Sequence, residues 1–202
     1  MLDPQAVMAL SAQCAPGVAP STLLALARAE SGLNPLAIGV NGPRSARPRP
    51  SNRAGAVAAA KVLVAAGRDI DLGLLQINVR NLPRLRLSLE DAFDPCRNLA
   101  AAAQVLREGY ARGLERHGAG QPALRVALSF YNTGHAQRGF ADGYVARVLA
   151  HADHAPQRPA LADREAPGSP GPASLSAPAW DVFGRAAGLR TGFVTSPSGA
   201  TP

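Results

Sequence analysis

The chain has 202 residues, a formal net charge of +7 and only 4% aromatic residues, so we expect one helical domain with a core of Ala, Leu and Val. The sequence has no apolar run of about 18 residues that could span a membrane. The positive charge suits a polyanionic partner or merely reflects frequent use of Arg, but no motif for binding nucleic acid accompanies it, which disfavours a DNA-binding protein.

Residues typical of helix starts and helix ends divide most of the chain into predicted helices. Proline at the first helical position, twice preceded by an Asp that can cap the helix, marks four starts, and Gly marks most of the ends. With the apolar periodicity, these signals predict helices over residues 4–14, 20–31, 54–66, 95–116, 122–132 and 141–153.

Two stretches between these helices break the pattern. Residues 37–53 contain a hairpin-like Asn41-Gly42 turn and then alternate Arg with Pro, which indicates an exposed loop. Residues 69–82 are predicted to be irregular, with a break at Gly73 where the backbone could approach another group closely.

The two cysteines, Cys14 and Cys96, fit either one disulfide formed in an oxidising compartment or two buried thiols. Each lies near the end of a predicted helix, where a covalent link could join two helices. We therefore expect a Cys14–Cys96 disulfide.

The composition changes near residue 155, where Pro, Gly, Ser and Thr become dominant. Such a segment buries too little apolar surface to order itself, so the predicted division is a folded domain over 1–154 and a disordered tail over 155–202. The tail contains the only Trp, in the motif Trp180–Phe183, which is either an anchor for a partner or a chance apolar cluster.

Glu30 is the first candidate for chemistry. It lies on the apolar face and in the last turn of the predicted helix 20–31. Burial and the negative end of the helix dipole both disfavour a carboxylate, so the pKa of Glu30 should rise towards neutrality, as a general acid requires. The alternative is an exposed or ion-paired Glu at the end of a helix.

Two further motifs could place polar groups in a cleft. Gln76 and Asn78 follow Gly73, and Tyr131 and Asn132 end the predicted helix 122–132. Taken singly, each motif could equally be a turn, a helix cap or a core tyrosine.

Taken together and in this order, the motifs resemble the signature of the lytic transglycosylases, and most closely the branch that accompanies type IV secretion and conjugation. Leu75 stands where many relatives carry Met. The resemblance covers about residues 5–152 and consists of Glu30-Ser31-Gly32, the stretches 34–41, 71–78 and 129–134, Phe93-Asp94-Pro95-Cys96, and Tyr144-Val145.

The resemblance implies a mainly α, lysozyme-like fold with minimal β-structure. It also implies cleavage of the β-1,4 bond between N-acetylmuramic acid and N-acetylglucosamine in peptidoglycan glycan strands, leaving a 1,6-anhydro end and opening the cell wall for a secretion apparatus. No cofactor is expected, and components of the type IV secretion core are possible partners of the tail.

The resemblance also implies roles for individual residues. Glu30 would be the acid and base, and Tyr144 would lie near it. The remaining site residues would line the cleft and hold the substrate, its N-acetyl group or Glu30: Ser31, Gln76, Asn78, Tyr131 and Asn132.

Two other functions compete with this interpretation. A hydrolytic muramidase like goose-type lysozyme would need a second carboxylate, for which Asp69 and Asp71 are candidates, although a turn or cap role suits them better. A non-catalytic assembly factor that binds peptidoglycan would not need the catalytic side chains, so the intact set at 30, 76, 131 and 132 argues against it.

Metal binding and location complete the predictions. His151 and His154 share a helix face without further ligands, His117 and His135 look like surface residues, and no metal is expected. The start of the chain shows no export signal, yet the substrate lies outside the inner membrane, so we expect a periplasmic protein.

Overall fold

The computed structural model describes residues 1–42 and 47–153. The predicted tail, the Trp180–Phe183 motif and His154 lie outside the described residues. Within the described ranges the chain forms eight α-helices and one three-stranded sheet. The helices are Pro4–Cys14 (α1), Pro20–Ser31 (α2), Arg53–Ala65 (α3), Leu82–Leu85 (α4), Pro95–His117 (α5), Gln121–Thr133 (α6), Arg138–Ala141 (α7) and Tyr144–Asp153 (α8). The strands are Ile38–Val40 (β1), Ile70–Leu72 (β2) and Ile77–Asn78 (β3).

The expectation of a mainly helical chain with little β-structure is confirmed. The Asp side chains predicted as caps accept backbone hydrogen bonds, Asp3 from Gln5 at 2.8 Å and Asp94 from Arg97 at 2.9 Å. The predicted last helix, 141–153, begins three residues later, because a positive φ of 75° at Gly143 separates α8 from the short helix α7, which was not predicted.

The sheet corrects two predictions. The expected hairpin-like turn at Asn41-Gly42 does not join neighbouring strands, because β1 pairs antiparallel with β2, which follows α3. The stretch 69–82, expected to be irregular, contains β2, β3 and a 3₁₀ turn at Val79–Asn81. Strands of two or three residues are too short for apolar alternation to reveal them.

The core is built from small aliphatic residues, as the composition predicted. Helix α2 is buried over Thr22–Ala27. Helices α5 and α6 approach closely where glycines face them: a Cβ on Gly113 would lie 2.8 Å from the Ala123 carbonyl oxygen, and one on Gly109 would lie 3.1 Å from the Cα of Ala127. Close helix packing thus replaces the bulk that aromatic side chains would supply.

The predicted disulfide is confirmed. Cys14, the last residue of α1, is bonded to Cys96, the second residue of α5, and their Cα atoms lie 5.3 Å apart. The bond therefore joins the end of one helix to the start of another. None of the described helices is long and apolar enough to cross a membrane.

Candidate active site

A polar cleft of about 650 Å³ lies between the sheet and the helices α5 and α6. The side chain of Glu30, in the last turn of α2, lines this cleft. The sheet side contributes Asn41, Asp69, Asp71, Gln76 and Asn78, and the helical side contributes Glu108, Arg112, Phe130, Tyr131 and Asn132, among others. Most of the candidates named from the sequence are thereby brought together in one cleft.

Glu30 has the properties expected of a general acid. Burial is the largest influence and raises its pKa from 4.5 to about 7, with a further contribution from the Asp71 carboxylate. The Tyr144 hydroxyl donates a hydrogen bond to Glu30 Oε1, and this bond and Arg147 lower the pKa. A carboxyl with a pKa near 7 is protonated often enough at neutral pH to give its proton to a leaving group, and can also take one back.

Helix α8 carries Tyr144, which is hydrogen-bonded to Glu30, and Arg147, whose charge acts on Glu30. Tyr144 is buried at the first turn of α8, and the guanidinium of Arg147, one turn later, lies 5.7 Å from the centre of its ring. Burial and the nearby Glu30 raise the pKa of Tyr144 well above its ordinary value, so its hydroxyl remains a hydrogen-bond donor. Tyr144 therefore lies next to Glu30, as the resemblance implied, while the catalytic role of Glu30 stays a prediction.

The turn between β2 and β3 faces Glu30 and requires its glycine. Gly73 has a φ of 79°, and a Cβ there would lie 2.1 Å from the Ala92 carbonyl oxygen and 2.6 Å from Asn98 Nδ2. Asn98, buried in α5, accepts a hydrogen bond from Leu75 N at 2.8 Å and donates to the carbonyls of Leu72 and Ala92 at 3.0 and 2.8 Å. The close approach expected at Gly73 is thus made to Ala92 and Asn98.

Ser31 and Tyr131 hold the backbone of the same turn. The Ser31 hydroxyl donates to the Leu74 carbonyl and the Tyr131 hydroxyl to the Leu75 carbonyl, each at 2.6 Å. Tyr131 is therefore not hydrogen-bonded to Glu30, although both line the cleft. Ser31 and Tyr131 thus hold the backbone that forms one wall of the cleft. Direct contact of either side chain with substrate remains a prediction.

Gln76 ends the turn in a left-handed conformation that is unusual for a residue with a side chain, with a φ of 48°. Its Nε2 donates to the carbonyls of Gly73 at 2.9 Å and Ala37 at 3.2 Å. The side-chain amide thus joins the turn to the residue that precedes β1. These contacts offset the strain of the backbone and fix the amide at the cleft.

The second-carboxylate candidates both lie in the cleft, and neither forms the cap or turn that the sequence favoured. Asn78 Nδ2 donates to Asp69 Oδ1 and to Asp71 Oδ1, both at 2.8 Å. Asp71 lies in β2, whereas Asp69 precedes β2 and forms an ion pair with Arg80 at 3.3 Å. Burial raises the pKa of Asp71, while hydrogen bonds from Asn78 and Asn41 lower it.

The helical side of the cleft carries charged groups that the sequence did not single out. Arg84 in α4 forms an ion pair with Glu108 in α5 at 2.7 Å. The guanidinium of Arg112 lies 5.2 Å from the centre of the Phe130 ring. Asn132, which the sequence did single out, lines the same side and is exposed. The period of an amphipathic helix does not distinguish such residues from an ordinary solvated face.

Outside the cleft, the three histidines in the described part of the chain form no site of their own. His117 and His135 are exposed, and the backbone carbonyl of His151 accepts a hydrogen bond from Arg28 at 3.2 Å. Among residues 1–42 and 47–153, no group of three or more His, Cys, Asp or Glu side chains could hold a metal ion.

Comparison with known families assigns the chain to one family. The family described as transglycosylase SLT domain matches residues 8–150, which include Glu30, the sheet and all the helices that line the cleft. The chain belongs to the transglycosylase SLT family. The family resemblance read from the motifs is therefore confirmed, and with it the lysozyme-like, mainly α fold.

Two curated proteins named virB1 are similar to the chain. It is 41% identical over 152 residues to "Type IV secretion system protein virB1" of Brucella abortus biovar 1, covering 72% of this chain and 63% of that protein. It is 40% identical over 175 residues to "Protein virB1" of Agrobacterium fabrum, covering 85% and 68%. The chain thus spans less than two thirds of the Brucella relative. No solved structure matches the chain.

Proposed function

We propose that the chain is a lytic transglycosylase that cleaves the β-1,4 bond between N-acetylmuramic acid and N-acetylglucosamine in peptidoglycan. The observation that carries this proposal is Glu30, a carboxyl with a pKa of about 7 at the wall of a polar cleft. Membership of the transglycosylase SLT family supports it.

The reaction needs one group that gives and then takes a proton. Glu30 protonates the glycosidic oxygen, and the bond from C1 of the muramic acid breaks with its electron pair left on that oxygen. The C6 hydroxyl of the same sugar then attacks C1 and loses its proton to the Glu30 carboxylate. This attack is intramolecular, so it gains from proximity and needs no bound water.

The other cleft residues orient the glycan in this proposal. Asn132 offers its amide to the hydroxyl and N-acetyl groups of the sugars. Gln76 and Asn78 donate their amide protons within the protein and accept hydrogen bonds from the sugars through their side-chain oxygens. Ser31 and Tyr131 keep the turn over 73–76 in place through the Leu74 and Leu75 carbonyls. Tyr144 orients the Glu30 carboxyl through its hydrogen bond.

The biological role follows from the names of the relatives. Both relatives described above are named virB1, and the Brucella protein is named for a type IV secretion system. We place this chain in the periplasm, where it would open the cell wall locally for such an apparatus. The Cys14–Cys96 disulfide suits an oxidising compartment of this kind. Contact with secretion components through the tail belongs to the same proposal.

Mass spectrometry of digested peptidoglycan tests the reaction. Transglycosylation leaves 1,6-anhydro-N-acetylmuramic acid ends, whereas a muramidase leaves reducing ends that are heavier by one water. We expect anhydro products from the wild type. A digest dominated by reducing ends would replace the proposal with hydrolysis and keep peptidoglycan as the substrate.

Glu30→Gln is the matched control because the amide keeps the shape of the side chain but cannot transfer the proton. Its cleavage rate should fall at least ~10²–10⁴-fold, the range typical of general acid catalysis. A variant that clears peptidoglycan at nearly the wild-type rate would remove Glu30 from the mechanism. Binding without cutting is the result expected of Glu30→Gln. A non-catalytic assembly factor would show the same result in the wild type.

A further inference from the structure

The helical wall of the cleft carries a cation that no carboxylate of the described residues neutralises. Two arginines, Arg84 and Arg112, line the cleft. Arg84 forms an ion pair with Glu108 at 2.7 Å. Within residues 1–42 and 47–153, Arg112 forms no ion pair, and its guanidinium lies 5.2 Å from the centre of the Phe130 ring. The N–H donors of Arg112 thus remain available to a group that enters the cleft.

The carboxylates of α5 that could neutralise Arg112 do not pair with it. Glu108 stands four residues before Arg112, a spacing at which Glu and Arg on one helix commonly pair. Both of its oxygens are engaged elsewhere, Oε2 by Arg84 and Oε1 by Gln104 Nε2 at 3.1 Å. Glu115, three residues after Arg112, forms no ion pair within the described residues. The positive charge of Arg112 is therefore left without a counter-charge on its own helix.

The packing of α5 on α6 determines where this guanidinium lies. A Cβ on Gly109 would lie 3.2 Å from Phe130 Cβ, and one on Gly113 would lie 2.8 Å from the Ala123 carbonyl oxygen. The two helices therefore approach closely on both sides of Arg112 along the sequence. Stacking on an aromatic face is typical of Arg, and it restricts the side chain before any ligand binds. A restricted cation loses less conformational entropy on binding.

The chemistry of peptidoglycan indicates what such a cation binds. The amino sugars of the glycan are N-acetylated and therefore neutral. Muramic acid differs from glucosamine by a lactyl group, whose carboxyl carries a short stem peptide with free carboxylates. Where the peptide has been removed, the lactyl carboxylate itself is free. A guanidinium matches a carboxylate with two parallel hydrogen bonds.

We propose that Arg112, held over Phe130, binds a carboxylate that is attached to muramic acid through its lactyl group. This subsite would make the enzyme select glycan that bears negative charge on its muramic acid over neutral glycan. The proposal rests on the proposed function, because it takes peptidoglycan as the substrate. Arg112 takes no part in the chemical step, in which Glu30 still gives and regains the proton.

Cleavage of three substrates by the full chain tests this subsite. They are intact peptidoglycan, peptidoglycan whose stem peptides an amidase has removed, and intact peptidoglycan whose carboxylates have been coupled to methylamine with a carbodiimide. On a substrate whose carboxylate binds, Arg112→Gln should raise KM roughly tenfold, because hydrogen bonds to charged groups are strong. Its kcat should be nearly unchanged, because the contact is the same before and during the reaction. On the amidated substrate, the variant and the wild type should have the same KM.

The first two substrates distinguish the two sources of the carboxylate. A rise in KM on intact peptidoglycan assigns the ligand to the stem peptide, because the lactyl carboxyl is blocked there. A rise only on the amidase-treated glycan assigns it to the lactyl group.

Two further variants separate this contact from a general effect of charge. Arg112→Lys keeps the charge but not the planar fork of donors, so it should restore only part of the wild-type affinity. Arg116→Gln removes a positive charge one turn later on α5, from an exposed residue that does not line the cleft. Because solvent and salt screen such a charge, its KM should stay within about twofold of the wild type.

The proposal is overturned if Arg112→Gln keeps the wild-type KM on both intact and amidase-treated peptidoglycan, or if its KM rises equally on the amidated substrate. It is also overturned if Arg116→Gln raises KM as much as Arg112→Gln does. Arg112 is exposed, so we expect the variant to fold, which thermal unfolding checks. Failure of the proposed function would appear separately, as reducing-end products or as no cleavage by the wild type. The same comparison then holds for hydrolysis, or for binding measured by sedimentation with insoluble peptidoglycan.

Discussion

The Glu30 carboxyl binds its proton more tightly in the folded chain than in the unfolded one, because its pKa is raised from 4.5 to about 7. Between these values the unfolded chain binds fewer protons, so the free energy of unfolding falls as pH rises through this window. A shift of this size costs roughly 3 kcal/mol once Glu30 is fully ionised. Ionised Glu30 therefore destabilises the fold at alkaline pH.

Glu30→Gln should reverse this cost. We expect the free energy of unfolding, measured with urea, to be the same for the variant and the wild type below pH 4.5. Above pH 7 it should be higher for the variant by up to roughly 3 kcal/mol. Glu90→Gln is the matched control, because Glu90 is exposed and its pKa is lowered beside Lys61, so this variant should gain no stability at high pH. A Glu30→Gln gain that is equal at all pH values would contradict the explanation.

At the same scale, the sequence was informative about Glu30 and less so about its neighbours. The apolar face of α2 places Glu30 against the core, so its raised pKa follows from helix periodicity. Asn41, Asp71 and Asn98 could not be assigned in this way. Their roles depend on which strand pairs with which and on a turn that meets α5, and both are non-local contacts. Tyr131 lies in the expected cleft, but its hydroxyl contacts Leu75.

At the scale of elements, the disulfide closes a loop with a sequence separation of 82 residues between α1 and α5. In the chain-entropy account, a loop of this length stabilises the fold by roughly 4–5 kcal/mol, less any strain. We expect reduction with a phosphine to lower the urea midpoint markedly. The double variant Cys14→Ala with Cys96→Ala should show the same low midpoint with and without the reductant.

An unchanged midpoint after complete reduction, with both thiols counted by mass after alkylation, would show that the packing of α1 on α5 is sufficient alone. Two free thiols in protein taken from an oxidising compartment would count against the bond and against a periplasmic location. Glycan cleavage measured on the same samples would show whether the cleft depends on this link.

Helices were more predictable than strands, for a physical reason. Pro at the first helical position, Asp caps and Gly ends are local signals, and they place α1, α2, α3, α5 and α6 to within about two residues. The strands are two or three residues long, so periodicity does not identify them, and β1 pairs with β2 across α3 instead of through the Asn41-Gly42 turn. The one local signal in this region was Gly73. A glycine there predicts that the backbone approaches another group closely, but it does not identify that group, which the structure shows to be Ala92 and Asn98.

At the scale of the whole molecule, every residue that lines the cleft lies between Glu30 and Gly134, and the family match ends at residue 150. Helix α8 completes the site by bringing Tyr144 to Glu30. The described part of the chain therefore contains a full cleft and the helices that support it. The predicted division into a domain over 1–154 and a tail over 155–202 follows the same boundary and remains a prediction.

A chain that ends after residue 154 should consequently cleave peptidoglycan at close to the wild-type rate, with the same anhydro ends in its products. The tail would act on the location of the enzyme, through the Trp180–Phe183 motif. Trp180→Ala in the full chain should then weaken association with type IV secretion components in a pull-down, while cleavage of purified peptidoglycan is unchanged. If the shortened chain is folded by circular dichroism but no longer cleaves, the tail belongs to the catalytic domain. If Trp180→Ala leaves the association intact, the motif is a chance apolar cluster.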